Sequence, residues 1–195
     1  MSLIDTNDEG PEPFYYPPTV CPHCKFRLRF SMAHRPHCPT MRPDEPACHE
    51  VAPGLFVGSV EARVDRRFVA VVSILSEADA RYVGARVAMP SVPMFHVEHE
   101  DQGEGLLVKC EPAWRFVDEH RAQGPVLFHC LQGANRSPTA YCGYRITRDR
   151  VSAEAILLEV LARRPPSWYV NRTNVEGLLA LARAPSSEQD SAPVS

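Results

Sequence analysis

Residues 126–139, Val-Leu-Phe-His-Cys-Leu-Gln-Gly-Ala-Asn-Arg-Ser-Pro-Thr, constrain the fold of this chain more than any other stretch. The apolar run at residues 126–128 is short and hydrophobic enough for a buried strand. A loop follows over residues 129–135, and a helical pattern begins near Arg136. A strand, a tight loop and a helix N-terminus together direct backbone N–H groups into one concavity. The stretch therefore predicts an oxyanion site at the end of a buried strand.

The loop carries one cysteine, Cys130, and one arginine, Arg136. A helix N-terminus and a neighbouring arginine stabilise the thiolate form of a cysteine, and a thiolate is a strong nucleophile. The planar guanidinium of Arg136 can hold two oxygens of a phosphate. Ser137 can hydrogen-bond the sulfur and help it to leave in a second step. These residue types predict attack by sulfur on phosphorus, giving a cysteinyl-phosphate that water then cleaves.

The backbone of the loop is expected to hold the phosphate. Gly133 can adopt backbone angles that would strain other residues, so it lets the loop curl. The predicted phosphate-binding residues are Leu131, Gln132, Gly133, Ala134, Asn135 and Arg136. The alternative to a functional site is a buried structural cysteine with an arginine nearby by chance. The full His-Cys-x2-Gly-x2-Arg-Ser pattern between a strand and a helix is much more specific than Cys-x5-Arg alone.

Residues 129–137 resemble the active-site loop of the cysteine-based protein tyrosine phosphatases, and the following Pro138-Thr139 is similar to their dual-specificity branch. The resemblance extends over about residues 50–183. It includes a proline-glycine-leucine turn at residues 53–55 and the arginine-proline pair at residues 164–165. It implies a small, atypical dual-specificity phosphatase that needs no cofactor for catalysis.

The order of the elements along the chain gives the fold class. A turn and an apolar strand are predicted at residues 51–59, and further strands at residues 68–75, 94–98 and 126–128. Predicted helices lie at residues 60–67, 76–84, 104–122, 136–148, 153–163 and 171–183. This alternation favours an α/β domain with a central mixed, mostly parallel sheet flanked by helices. It is consistent with the cysteine-based phosphatase fold that the resemblance implies.

The chemistry also needs a proton donor for the leaving alkoxide, since a well-placed acid contributes about 10²–10⁴ in rate. In the family that the chain resembles, this acid is an aspartate on a mobile loop well before the cysteine. Asp101 follows a predicted strand at about the right distance from Cys130, so the resemblance assigns it this role. Glu100 is the nearest rival.

Composition limits the partners and the compartment. The 195 residues leave room for one ordinary domain plus appendages. A formal net charge of −3 argues against nucleic acid or a membrane surface as a general partner. The chain lacks an apolar run of membrane-spanning length and a secretory signal pattern. Seven cysteines without such a signal fit a reducing compartment, so we expect a cytoplasmic protein, with the nucleus as an alternative.

A cysteine- and histidine-rich segment precedes the catalytic region. Two thiolates in a Cys-x2-Cys turn can face one tetrahedral ion, as in a zinc knuckle. The compact set of four predicted zinc ligands is Cys21, Cys24, His34 and Cys38. Cys48 or His49 in place of the second pair is an alternative. The other interpretation is a proline-rich arm with unliganded thiols in a reducing cell.

We therefore predict four regions. They are an extended or disordered arm at residues 1–20, the Cys/His-rich segment at 21–49, the phosphatase domain at 50–183 and a disordered tail at 184–195. The predicted function is hydrolysis of phosphotyrosine, phosphoserine or phosphothreonine in a phosphoprotein substrate. Two alternatives stay open. The Gly-x-Asn-Arg run also occurs in RNA 5′-triphosphatases of the same superfamily, and a non-catalytic adaptor could use the same phosphate-binding loop.

Overall fold

The computed structural model describes residues 19–20, 27–28, 46–84, 87–100, 105–163 and 171–184. The chain divides into two compact units, Met1–Glu45 and Pro46–Ser195. In the first unit, strands β1 (Thr19–Val20) and β2 (Arg27–Leu28) pair antiparallel. The four predicted zinc ligands lie outside the described residues, and the predicted region boundaries stay predictions.

The second unit contains a five-stranded sheet in the order β3-β4-β7-β5-β6. Its strands are β3 (Cys48–Ala52), β4 (Leu55–Gly58), β5 (Ala70–Leu75), β6 (Met94–Glu98) and β7 (Val126–His129). β3 pairs antiparallel with β4, and the other three pairings are parallel. Every residue of β5 and β7 is buried, as the apolar runs predicted. The predicted α/β class with a mixed, mostly parallel sheet is confirmed.

Helices cover both faces of this sheet. They are a 3₁₀ helix (Val60–Val64), α1 (Glu77–Gly84), α2 (Leu106–His120), α3 (Arg136–Arg148), α4 (Ala153–Arg163) and α5 (Arg172–Arg183). Residues of α2, α3, α4 and α5 share the largest apolar core with one face of the sheet. The 3₁₀ helix packs on the other face, where the Phe56 and Phe68 rings meet edge to face. None of the described helices is long and apolar enough to cross a membrane.

Helix α3, which directly follows the loop, is deeply buried. Tyr141, Cys142 and Tyr144 are fully buried in it, and the Trp114 indole of α2 donates to the Ala140 carbonyl at 3.1 Å. Because α3 is enclosed by α2, α4 and α5, its first turn is fixed by packing. The loop between β7 and α3 is therefore held by rigid elements at both ends.

The structure differs from the predicted elements near the start of the sheet. The stretch predicted as a turn and one strand at residues 51–59 belongs to a hairpin, with β3 before the turn and β4 after it. Gly54, with φ of +72°, forms the turn. Cys48 and His49, the alternative zinc ligands, lie on β3. Within the part of the chain that the structure describes, no group of three or more potential metal ligands occurs.

Candidate active site

Cys130 directly follows β7, and α3 begins at Arg136, so the loop spans the predicted strand-to-helix connection. The Cys130 side chain is 2% exposed. Its Sγ accepts a hydrogen bond from the Gly133 backbone N–H at 3.2 Å, and the Ser137 hydroxyl lies 3.4 Å away. The hydroxyl also lies 3.3 Å from the Gly58 carbonyl, and it can donate to only one acceptor at a time. The Gly133 N–H and the Ser137 hydroxyl are therefore the two groups placed to donate to the sulfur.

Gly133 brings the loop against the end of β4. Its φ is +71°, a conformation that favours glycine. A Cβ at this position would lie 2.5 Å from the Gly58 carbonyl carbon and oxygen, so a side chain has no space there. The Val60 N–H also donates to the Leu131 carbonyl at 3.3 Å. The curl of the loop therefore depends on contact with the β4–3₁₀ connection.

Arg136 is held by two segments that follow neighbouring strands. Its side chain is buried, and Nη1 donates to Asp79 Oδ2 at 2.6 Å and to the His99 carbonyl at 3.0 Å. Asp79 lies on α1 after β5, and His99 directly follows β6. The His99 N–H in turn donates to the Leu75 carbonyl at 3.2 Å. The guanidinium is thus tied to the ends of β5 and β6.

The Asp79 carboxylate is itself fixed by the start of α1. The Asp79 N–H donates to Ser76 Oγ at 3.1 Å, and the Ser76 N–H lies 3.4 Å from Asp79 Oδ2. This reciprocal pair is a capping box in which aspartate takes the usual place of glutamate. Sequence reasoning missed the role of Asp79, because Ser-x-x-Asp before a helix indicates only a cap.

Three buried asparagines connect the loop to α5. Asn135 Oδ1 accepts from the Asn171 backbone N–H at 3.1 Å and from Asn174 Nδ2 at 3.0 Å. Asn171 caps α5, and its side chain accepts from the Asn174 N–H at 2.8 Å. Sequence reasoning recognised the helix but missed this contact. The residue before the loop arginine is therefore anchored to a helix that begins far along the chain.

His129 precedes the cysteine and is neutral. Burial lowers the pKa of His129 to about 4. Its Nδ1 lies 3.3 Å from the Cys130 carbonyl, which requires the hydrogen on Nδ1. Burial raises the pKa of Cys110 to about 12 and also raises the pKa of Cys142. These two core thiols stay protonated at neutral pH.

The other predicted site residues are distributed as follows. Leu131 and Gln132 are half-buried and Ala134 is buried, all within the loop. Glu100, the rival acid, is exposed just after β6. Asp101 lies outside the described residues. The catalytic, phosphate-binding and metal-binding roles that the sequence assigns to individual residues stay predictions.

Comparison with known proteins gives a sequence relationship. No family model matches the chain. The chain is 33% identical over 122 residues to the dual specificity protein phosphatase TpbA of Pseudomonas aeruginosa strain UCBPP-PA14. The match covers 57% of this chain and 53% of that protein. The chain thus spans about half the length of the curated relatives it matches.

Solved structures share the fold. Human tyrosine phosphatase-like serine/threonine/tyrosine-interacting protein aligns with a TM-score of 0.60 and 18% identity, over 68% of this chain and 93% of that chain. Human DUSP28 gives 0.59 and 22%, over 72% and 95%. PTPMT1 in complex with PI(5)P gives 0.58 and 16%, over 70% and 95%. At these identities the likeness establishes the fold alone.

The chain therefore shares its fold with these solved structures, and in sequence it is similar to a dual specificity protein phosphatase.

The buried neutral His129 predicts a pH dependence of stability. The folded pKa of about 4 lies below the ordinary value of 6.5, so between these values the unfolded chain binds a proton that the folded chain excludes. Stability should therefore fall as pH drops from 6.5 to 4, by about 3 kcal/mol from this group. Urea denaturation at pH 7 and pH 4.5 measures this loss.

His129→Asn should weaken the pH dependence of the free energy of unfolding, because it removes the buried imidazole. Equal pH dependence in the parent protein and in His129→Asn would contradict the assignment.

Proposed function

We propose that this chain is a protein phosphatase that hydrolyses phosphotyrosine and phosphoserine or phosphothreonine monoesters through a cysteinyl-phosphate. The observation that supports the proposal most directly is the set of donors at Cys130 Sγ, from Gly133 and Ser137, in the loop that also carries Arg136. The similarity to a protein named as a dual specificity phosphatase gives independent support.

The first chemical step is attack of the Cys130 thiolate on phosphorus. As the S–P bond forms, the bond from phosphorus to the leaving oxygen breaks and its electron pair goes to that oxygen. The leaving oxygen takes a proton from Asp101, so no strongly basic alkoxide is released. In the second step Asp101 accepts a proton from a water molecule that attacks phosphorus. The S–P bond then breaks, and a hydrogen bond from Ser137 to sulfur assists its departure.

Arg136 binds the phosphate that is transferred. Its Nη1 is engaged by Asp79 and the His99 carbonyl. The planar guanidinium binds two phosphate oxygens in a bidentate contact. Because the guanidinium is already fixed by two partners, little side-chain freedom is lost when phosphate binds.

Two alternative functions make different predictions in one assay. The Gly-x-Asn-Arg run favours an RNA 5′-triphosphatase, although the uncharged Leu131, Gln132 and Ala134 provide no further cation for a triphosphate. An adaptor would bind phosphate without turnover. We propose an assay with an aryl phosphate, phosphopeptides and triphosphorylated RNA. Faster release from RNA than from phosphopeptides would favour the triphosphatase, and no release from any substrate would favour the adaptor.

Cys130→Ser should abolish aryl phosphate hydrolysis, because a serine hydroxyl is a far weaker nucleophile than a thiolate. The variant should still bind tungstate, since the loop and Arg136 are unchanged. Steady-state kinetics and calorimetric titration measure the two properties. Cys110→Ala, which removes a thiol of α2 outside the loop, is the control. Near-normal turnover in Cys130→Ser would show that the nucleophile is wrong.

Asp101→Asn should lower kcat by about 10²–10⁴ for poor leaving groups and much less for good ones, since only a poor leaving group needs protonation. A series of aryl phosphates with different leaving-group pKa values measures this slope. The matched control is Glu100→Gln, which removes the same charge one residue earlier. A uniform loss in Asp101→Asn, or a leaving-group-dependent loss in Glu100→Gln, would move the role to another acid.

We propose that the Cys/His-rich segment holds a structural zinc ion through Cys21, Cys24, His34 and Cys38. Support comes from the spacing of these residues and from the pairing of β1 with β2 on either side of residues 21–26, as in a zinc knuckle. Protein prepared without chelator should contain about one zinc per chain, which provides folding free energy to this segment. Elemental analysis that finds no zinc, or an unchanged content in Cys21→Ser, would remove the hypothesis.

A further inference from the structure

Arg136 is the only cationic side chain of the loop, because His129 is neutral and residues 130–135 include no lysine, arginine or histidine. Arg63, another buried arginine of this unit, donates from Nε to the Ala88 carbonyl at 2.9 Å and from Nη2 to the Val87 carbonyl. Its guanidinium is therefore directed at the segment after α1. The positive charge offered to a phosphate by the loop itself comes from one guanidinium.

That guanidinium is paired with a carboxylate. Asp79 Oδ2 lies 2.6 Å from Arg136 Nη1, and the two side chains are 21% and 5% exposed. At this distance and burial the two unit charges largely cancel at a distant point, while the N–H groups of Arg136 still act on a close acceptor. A ligand with one phosphate can use those directional contacts. A ligand with further negative charge meets a carboxylate and no additional cation of the loop.

We propose that Asp79 is a specificity-determining residue, one that fixes Arg136 for bidentate binding and restricts the site to a single phosphate group. The inference deepens the proposed function, on which it rests, by excluding polyphosphates and multiply phosphorylated ligands from the site. The capping box with Ser76 keeps the carboxylate in place. The charge at Asp79 cannot move away from an incoming anion without loss of the helix cap.

Asp79→Asn tests the proposal, because the amide keeps an oxygen acceptor for Arg136 and removes only the charge. Equilibrium titration with inorganic phosphate and with tripolyphosphate gives two affinities, and their ratio is the readout. We expect the ratio to shift by about tenfold or more towards tripolyphosphate, as Coulomb's law gives for loss of one nearby charge in a partly buried site. Asp79→Glu restores the charge and should return the ratio towards that of the parent protein.

Glu77→Gln is the matched control. Glu77 lies in the same turn of α1, its removal changes the net charge equally, and it pairs with Arg81 at the surface. In Glu77→Gln the ratio of the phosphate and tripolyphosphate affinities should stay within about twofold of the parent value, since exposed charges are screened by solvent and salt. Asp79→Ala, which also removes the acceptor, should lower kcat/KM for aryl phosphate about tenfold or more, because Arg136 loses its positioning contact.

An unchanged affinity ratio in folded Asp79→Asn overturns the inference, and so does an equal shift in Glu77→Gln. Thermal unfolding establishes that each variant is folded. Because the ratio is an equilibrium measurement, it is obtained even if the parent protein hydrolyses no phosphate ester. In that case the proposed catalytic function is wrong, but the ratio of the two affinities still tests whether Asp79 determines the selectivity. If the parent protein binds neither anion, both proposals fall together.

Discussion

The close approach of Gly133 to Gly58 is the contact on which the rest of the site depends. A Cβ on Gly133 would overlap the Gly58 carbonyl, so only glycine allows the loop to lie against the end of β4. That position directs the Gly133 N–H at Cys130 Sγ and places Ser137 between the sulfur and the Gly58 carbonyl. Without this contact the loop would open, and the donors around the sulfur would separate.

The loop is supported from three directions by elements distant in sequence. The ends of β5 and β6 hold Arg136 through Asp79 and the His99 carbonyl. The N-terminus of α5 holds Asn135, and the 3₁₀ helix holds Leu131 through the Val60 N–H. Buried polar contacts of this kind are costly when one partner is removed, so each support fixes the loop strongly. The site is therefore organised by the whole domain.

Much of the fold follows from local patterns. β6 and α3 have the predicted bounds, and α3 starts directly where the loop ends, at Arg136. β3 was missed, since its polar Cys-His-Glu start shows no strand pattern and its pairing with β4 is a tertiary contact. Asp79 and Asn174 were missed for a similar reason. Each is an ordinary helix residue in the sequence and meets the loop only after the sheet and helices assemble.

The central claim is that Cys130 carries the phosphoryl group during turnover. Acid quenching of the reaction with an aryl phosphate, followed by mass spectrometry of the peptides, tests it most directly. We expect the mass of one phosphoryl group on the sulfur of Cys130, and its loss as turnover is allowed to continue. Phosphate on another side chain, or turnover without any covalent phosphoryl-enzyme, would contradict the account.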